Sequence, residues 1–514
     1  MAGYLRLYGS AVTPPPGGAL VLFPTATGVT VIDGFDRPED ATATWATSVT
    51  RKVQLNQITG FCLHTDTPAD LATVDETRTS PGVMQRLLPI TTVVPSYSGA
   101  RVGTYYDAII PLRTDNATGA VYLWIDITCD GTETVAIGNV TITLDYHGVV
   151  PTWPALPLQM GFSNWGMILG YEGTWGPYEW LANYPLQMLI DHRQSAMGGM
   201  MYAWDGTDTT DWAAHNLAFL NSFMLTSVFP FNTWDYGAYS RTPYFTALGN
   251  AVSTMAAHGC GTGAWTYNID EPSAGDLTQY AAEFTAQKAA YPSIRTMVTK
   301  HLAAAGAYDI DILAPVAEYL GVNGLDGPAA YAAAGKTLWM YVSCMSHGCG
   351  ENRAYGFDDI EGETVYSASG APDLVIDRTA AEAFGLYLLG YKHGVESLLY
   401  FNSIEGWGLW SRTAGSGPID PWLDPYNFGG NGDGTLLYPG GAQPGNPMGK
   451  TLRPYPSIRL KLLREASYLV DALKADSSQT WAKAQVDALV TDSLTWDRTM
   501  ANIVTLRNAV LNRK

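Results

Sequence analysis

From residue 19 to about residue 150 the apolar positions come in short runs that alternate with polar ones. Ala120-Val121-Tyr122-Leu123-Trp124-Ile125 and Val140-Thr141-Ile142-Thr143-Leu144 are rich in Val, Ile, Thr and aromatic residues, with Gly, Asp and Asn between such runs. This texture predicts an all-β sandwich over residues 1–150. The stretch Pro151-Thr152-Trp153-Pro154-Ala155-Leu156-Pro157 carries three prolines in seven residues. It reads as a stiff linker over 151–157, and the domain boundary is set there. Beyond it, apolar runs at 158–162, 199–203, 224–229, 263–269, 294–299, 310–316, 337–344 and 397–402 alternate with longer amphipathic stretches. Those at 178–195, 212–221, 243–258, 274–290 and 379–393 predict helices. Eight strand-helix units in roughly 250 residues predict an α/β fold, a (β/α)8 TIM barrel over 158–455. A Gly- and Pro-rich loop follows at about 403–454, then helices near 457–474 and 480–513, so that residues 456–514 are expected to pack on the barrel. Gly429-Gly430-Asn431-Gly432-Asp433-Gly434 is read as a tight-turn loop in preference to a cation site.

Composition narrows the partners. Over the 514 residues, 48 acidic and 29 basic side chains give a formal charge of −19. Such a field repels phosphate backbones and anionic lipid surfaces, so neither nucleic acid nor membrane is expected as a partner. No apolar run reaches the ~18 residues of a membrane span. No signal peptide is visible at the N-terminus, and the compartment is left open, extracellular or virion-associated included. The 16 Trp and 30 Tyr supply flat faces with polar tips that suit sugar rings, although core packing accounts for most of them. Five cysteines, Cys62, Cys129, Cys260, Cys344 and Cys349, are scattered and odd in number. They argue against a disulfide framework, and most are read as free thiols. Cys344 and Cys349 are read as a structural or incidental pair, since two further ligands for a metal are missing nearby.

In a barrel the chemistry sits where strands end and βα loops converge. The fourth strand ends in Trp265-Thr266-Tyr267-Asn268-Ile269-Asp270-Glu271-Pro272. Adjacent carboxylates repel, so a functional pair is the simpler account, with two solvated acids on a surface turn as the alternative. Pro272 is expected to hold Glu271 extended and so to help send the two side chains apart. Candidate substrate contacts at strand ends are Tyr267, Trp339, Tyr341, Asn402, Trp407 and His301, with Asn164, Trp165 and Tyr400 as weaker ones. Taken singly, core or rim is the favoured role of each, with Tyr341, Asn402 and Trp407 the ones kept, while His301 reads equally as a structural histidine. No Walker loop, dinucleotide fingerprint, zinc helix or nucleophile elbow is present, so no metal and no cofactor is expected.

Asp270-Glu271-Pro272 after an aromatic-rich strand resembles the catalytic segment of glycoside hydrolase family 123, the β-N-acetylgalactosaminidases. Gly432-Asp433-Gly434-Thr435-Leu436-Leu437-Tyr438-Pro439-Gly440 and Pro456-Ser457-Ile458-Arg459-Leu460-Lys461-Leu462-Leu463-Arg464-Glu465 resemble that family's closing motif. The resemblance covers roughly residues 159–473. It departs after Glu465, where relatives continue with Gly and an acidic-aromatic cluster and this chain has Ala466-Ser467-Tyr468-Leu469.

The resemblance implies a retaining, substrate-assisted hydrolysis of β-linked N-acetylhexosamine, N-acetylgalactosamine being the expected sugar in an oligosaccharide or polysaccharide. Asp270 would orient the 2-acetamido group. Glu271 would protonate the leaving oxygen and then activate water, a role that burial and the Asp270 charge would favour. Two alternatives stand beside it. One is a glycosidase in which Glu271 works with Glu405 or Glu318; the other is a non-catalytic glycan-binding surface or virion protein. The oligomeric state is not legible.

Overall fold

A computed structural model of the chain describes residues 19–22, 26–40, 42–71, 84–97, 99–112, 119–151, 154–161, 183–197, 241–257, 264–321, 327–344, 349, 370–404, 421–427, 429–439 and 454–514. Among the described residues ten strands precede residue 150: β1 Ala19–Leu22, β2 Thr30–Ile32, β3 Trp45–Ala46, β4 Ser48–Leu55, β5 Ile58–Thr65, β6 Met84–Thr92, β7 Gly103–Pro111, β8 Val121–Thr128, β9 Thr134–Ile137 and β10 Val140–Val149. They form a four-stranded sheet, β1-β9-β10-β4, and a six-stranded sheet, β3-β2-β5-β8-β6-β7. The alternation in β8 shows why. Val121, Leu123, Ile125 and Ile127 point one way into a core shared with Val135, Ile137, Val140, Ile142 and Leu144 of β9 and β10. Tyr122, Trp124 and Asp126 point the other way, as the period of two requires.

Seven further strands form one parallel sheet: β11 Leu158–Gly161, β12 Ser195–Met197, β13 Trp265–Ile269, β14 Arg295–Val298, β15 Ile312–Leu313, β16 Thr337–Val342 and β17 Ser397–Tyr400. Their order is β12-β11-β17-β16-β15-β14-β13. The last strand of the sheet, β17, pairs with its first, β11, as in a cyclic arrangement. The strand predicted at 224–229, which would fall between β12 and β13, lies outside the described residues, as do the run at 199–203 and the helix at 212–221. One face of the sheet carries Trp265, Tyr267, Met297, Ile312, Ala314, Trp339, Tyr341 and Leu399, which pack on one another. The opposite face, with Val298, Leu313, Leu338, Met340, Val342 and Leu398, packs against the helices.

Several boundaries differ from expectation. The helix expected over 178–195 is described as Asn183–Asp191. It ends because Arg193 takes a positive φ of 61°, and Ser195 opens β12 instead of closing the helix. The helix expected over 274–290 breaks at Tyr280 into Ala274–Gln279 and Ala281–Ala290. The final stretch, expected as one helix over 480–513, is two, Gln479–Leu489 and Met500–Leu511. Local side-chain competition explains the break: Asp492 Oδ1 accepts the amides of Leu494 (2.9 Å) and Thr495 (2.7 Å), and Asp497 Oδ1 accepts that of Thr499 (2.7 Å).

Helix Ile458–Lys474, capped by the Ser457 hydroxyl, does not simply lie on the parallel sheet's helices. It is buried along nearly its whole length because it also covers the outer face of the six-stranded sheet. Arg464 and Lys461 each reach Asp126 of β8 at 2.5 Å. Glu465 accepts the Gly60 amide at 2.8 Å and the Gln57 side-chain amide at 3.1 Å. Arg459 forks onto Asp107 of β7 at 2.9 and 2.8 Å. The polar residues of the closing motif are therefore structural ties between the two parts of the chain.

Cys344 and Cys349 form a disulfide, whereas Cys62 and Cys129 are buried free thiols. Cys260 lies outside the described residues. The Gly-rich stretch is a turn locked by its surroundings, in keeping with the tight-turn reading. Asp433 accepts Tyr400 Oη (3.1 Å) and the Cys344 amide (2.9 Å), and a Cβ on Gly430 would stand 2.6 Å from Cys349 Sγ. Among the described residues no helix is long and apolar enough to cross a membrane.

Candidate active site

The site begins with a fault in the strand register. β13 pairs with β14 through Tyr267 opposite Met297, then Ile269 opposite Val298, so one extra residue is accommodated at Asn268. Such a bulge reverses the in-out parity of the residues beyond it. Ile269 thus joins the helix-facing core, and Asp270 arrives on the side of Tyr267. The Tyr267 hydroxyl donates to Asp270 Oδ1 at 2.5 Å, and Thr299 Oγ1, just beyond β14, donates to the same oxygen at 2.8 Å. Asn268 is held from the other face by Tyr244 Oη (3.2 Å) and Gln287 Oε1 (3.1 Å), on two helices.

Glu271 adopts φ +43°. This corrects the expectation that Pro272 would keep it extended. The left-handed region is costly for a residue with a Cβ, by about 1–3 kcal/mol, and persists only where the surroundings fix it. Here they do. The Glu271 amide donates to Thr299 Oγ1 at 2.6 Å, and its carboxylate Oε1 accepts the Tyr341 hydroxyl at 2.5 Å. Two residues on, Ser273 closes the loop with a capping box to Asp276, its hydroxyl accepting the Asp276 amide at 3.2 Å and its amide donating to Asp276 Oδ2 at 2.9 Å. The side chains diverge as anticipated, but by a left-handed turn. Glu271 is exposed and Asp270 half-buried, so the burial expected for Glu271 is not seen.

The two tyrosines are deeply placed, Tyr267 at 1% and Tyr341 at 5% exposure. Burial pushes both phenols well above their ordinary value, and the neighbouring carboxylates, Asp270 for Tyr267 and Glu271 for Tyr341, push further. Both hydroxyls accordingly remain protonated donors over the working pH range.

The structure brings Asp270, Glu271, Tyr267 and Tyr341 together. It does not bring Trp339 to them, since Trp339 lies one layer lower in the sheet's interior, edge-on to Trp265 at 4.9 Å. Asn402 is buried after β17, and its Oδ1 accepts the amides of Ser403 (2.8 Å) and Ile404 (3.1 Å), a turn-forming role. His301 follows β14 at the same end of the sheet and stands at the start of helix Leu302–Ala305. Glu318 is buried in the short turn Ala317–Tyr319, where its carbonyl accepts the Ser493 hydroxyl at 2.6 Å. Trp407, Glu405, Asn164 and Trp165 lie outside the described residues. Thr299 went unnoticed in the sequence. The signal that could have found it is a hydroxyl residue closing the apolar run Met297-Val298, beside the strand that ends in two acids. Among the described residues no group of three or more His, Cys, Asp and Glu could hold a metal.

No protein-family model and no curated protein matches the chain. In three dimensions it is similar to the solved structure of a family 123 glycoside hydrolase from Clostridium perfringens, whose description concerns glycolipid glycan hydrolysis. The TM-score is 0.57 at 11% identity, over 94% of this chain and 97% of that one. The likeness extends over both the sandwich and the parallel sheet and is a likeness of fold.

Proposed function

We propose that this chain is a glycoside hydrolase acting on β-linked N-acetylhexosamine, with N-acetylgalactosamine the expected sugar, by a retaining, substrate-assisted mechanism. The observation that carries the reading is the unequal treatment of two adjacent acids at the C-terminal end of a parallel sheet. Asp270 is half-buried and receives two hydroxyl donors on one oxygen, while Glu271 is turned outward and held by a single phenol. The family-123-like fold supports the same reading, as does the sequence resemblance at these residues. The parallel strands are taken as those of a (β/α)8 barrel.

In this mechanism the acetamido carbonyl oxygen of the substrate attacks the anomeric carbon as the bond to the leaving oxygen breaks. Glu271 delivers its proton to that oxygen. Asp270, an ionised acceptor fixed by Tyr267 and Thr299, takes a hydrogen bond from the acetamide N–H and stabilises the charge that develops in the oxazolinium ring. Water then attacks the anomeric carbon, giving its proton to Glu271, so configuration is retained and no protein nucleophile is consumed. The exposure of Glu271 in the free protein suits a residue that must reach a glycosidic oxygen and, later, water.

A stable thiazoline analogue of the bicyclic intermediate tests this. Competitive inhibition that is lost in Asp270→Asn is expected. Turnover of an acetamido glycoside with no inhibition by the thiazoline would contradict the mechanism.

A further inference from the structure

The Asp270–Glu271 pair poses a geometric problem that neither acid solves for itself. Consecutive residues must present carboxylates to two different parts of one sugar, and the backbone between them is in a conformation that a Cβ disfavours. One side chain touches both halves of this arrangement. Thr299 Oγ1 donates to Asp270 Oδ1 at 2.8 Å and accepts the Glu271 amide at 2.6 Å. It also stands 3.1 Å from the Tyr267 hydroxyl, whose own proton is directed at Asp270. A hydroxyl has one proton and two lone pairs, so Thr299 spends its proton on Asp270 and a lone pair on the Glu271 amide, both inside this cluster. Thr299 is buried directly after β14, one position beyond the residue that pairs with Ile269, so it leaves the sheet next to the end of β13.

We propose that Thr299 is a positioning residue that sets the divergence of the two acids, anchoring the Asp270 carboxylate by donation and the left-handed Glu271 backbone by acceptance. The assignment rests on the glycosidase reading for its kinetic consequence, but not for its structural one. Serine preserves both hydrogen bonds. Valine keeps the shape and removes both, which leaves the Glu271 amide without its acceptor and Asp270 with one donor fewer. Glu271 then keeps only the tie of its carboxylate to Tyr341, loses the anchor on its backbone, and relaxes toward the extended conformation that Pro272 favours.

The test compares Thr299→Val, Thr299→Ala and Thr299→Ser in the full-length chain by crystallography and by kinetics on a chromogenic β-N-acetylhexosaminide. Thr299→Val is expected to move Glu271 out of the left-handed region and to lower kcat by about 10²-fold with KM within about 3-fold, as a roughly 1 Å misplacement of a catalytic group does. Thr299→Ala serves the same comparison if valine does not fold. Thr299→Ser is expected to keep the wild-type backbone and to restore kcat to within about 3-fold. A wild-type Glu271 conformation and kcat in the valine or alanine variant would overturn the proposal. So would a serine variant as impaired as valine, since the methyl group and not the hydroxyl would then matter. If the wild type hydrolyses no acetamido glycoside, the glycosidase reading fails by itself, and the Glu271 backbone in the valine variant still decides whether Thr299 is the clamp.

Discussion

Replacing Asp107 by alanine removes the partner of a buried arginine that ties the last third of the chain to the sandwich. Asp107 is fully buried on β7. It accepts Arg459 Nε and Nη2 at 2.9 and 2.8 Å and the Tyr438 hydroxyl at 2.6 Å. Burial alone would raise its carboxyl, but the Arg459 charge and hydrogen bonds outweigh that and hold it below the ordinary value. Losing one member of a buried pair leaves an uncompensated charge and costs about 3–5 kcal/mol, a large part of the ~5–15 kcal/mol typical of a folded domain. Arg459 does more than pair, because it also donates to the carbonyls of Leu374, Gly432 (2.9 Å) and Thr435 (2.6 Å). Arg459→Met removes the partner of buried Asp107 and also takes from the Leu374 carbonyl the donor Arg459 gave it, at about 1–3 kcal/mol, so it is expected to cost more than Asp107→Ala. The double change Asp107→Leu with Arg459→Met removes both charges but leaves the Leu374 carbonyl without the Arg459 donor, so it is expected to recover only part of the loss. Urea unfolding followed by far-ultraviolet circular dichroism, in the cold to keep the weakest variant folded, reads all three. Single variants within about 1 kcal/mol of wild type, or a double variant that returns to wild-type stability, would refute the reasoning.

Two more outcomes are expected from the same physics. Burial lowers the His393 imidazole to about 4, with Lys392 and Lys483 adding to the effect. A base depressed in the folded state contributes stability that is complete above its unfolded value near 6.5 and is lost as pH falls toward 4. Unfolding free energy measured between these limits should fall less steeply in His393→Gln than in wild type, by no more than about 2 kcal/mol since the ring is only partly enclosed, and parallel slopes would contradict this. The Cys344–Cys349 disulfide spans a separation of 5 residues, and closing so short a loop is worth about 2 kcal/mol. Cys344→Ser with Cys349→Ser should unfold earlier by that amount under non-reducing conditions, while an unchanged midpoint would show that the bond adds nothing.

Much of this fold was legible in the chain because the hydrophobic pattern reports which face of an element is covered. The alternation in Ala120–Ile125 predicts a strand, found as Val121–Thr128, and the apolar runs at 263–269, 294–299, 337–344 and 397–402 predict strands of a parallel sheet, found at 265–269, 295–298, 337–342 and 397–400. What was hidden are features that depend on distant partners. The bulge at Asn268 is invisible without the register of β14, and Glu271 reads as extended before Pro272 until Thr299, twenty-eight residues on, supplies an acceptor to its amide. Cys344 and Cys349 read as a structural or incidental pair for lack of metal partners, and the structure joins them in a disulfide. Trp339 and Asn402 both read as strand-end candidates, and the structure shows one filling the interior and the other closing a turn. The charged residues of helix Ile458–Lys474 read as part of a family motif, and only the packing shows that Arg459, Arg464 and Glu465 hold two parts of the chain together.

The proposed chemistry stands or falls on hydrolysis of chromogenic β-N-acetylgalactosaminide and β-N-acetylglucosaminide, beside the matching glycosides that lack the acetamide, with wild type and Glu271→Gln. Cleavage of the acetamido sugars alone is expected, lowered by about 10²–10⁴-fold in the variant, the usual contribution of a general acid. Cleavage of the glycosides without the acetamide, or wild-type turnover by Glu271→Gln, would contradict it.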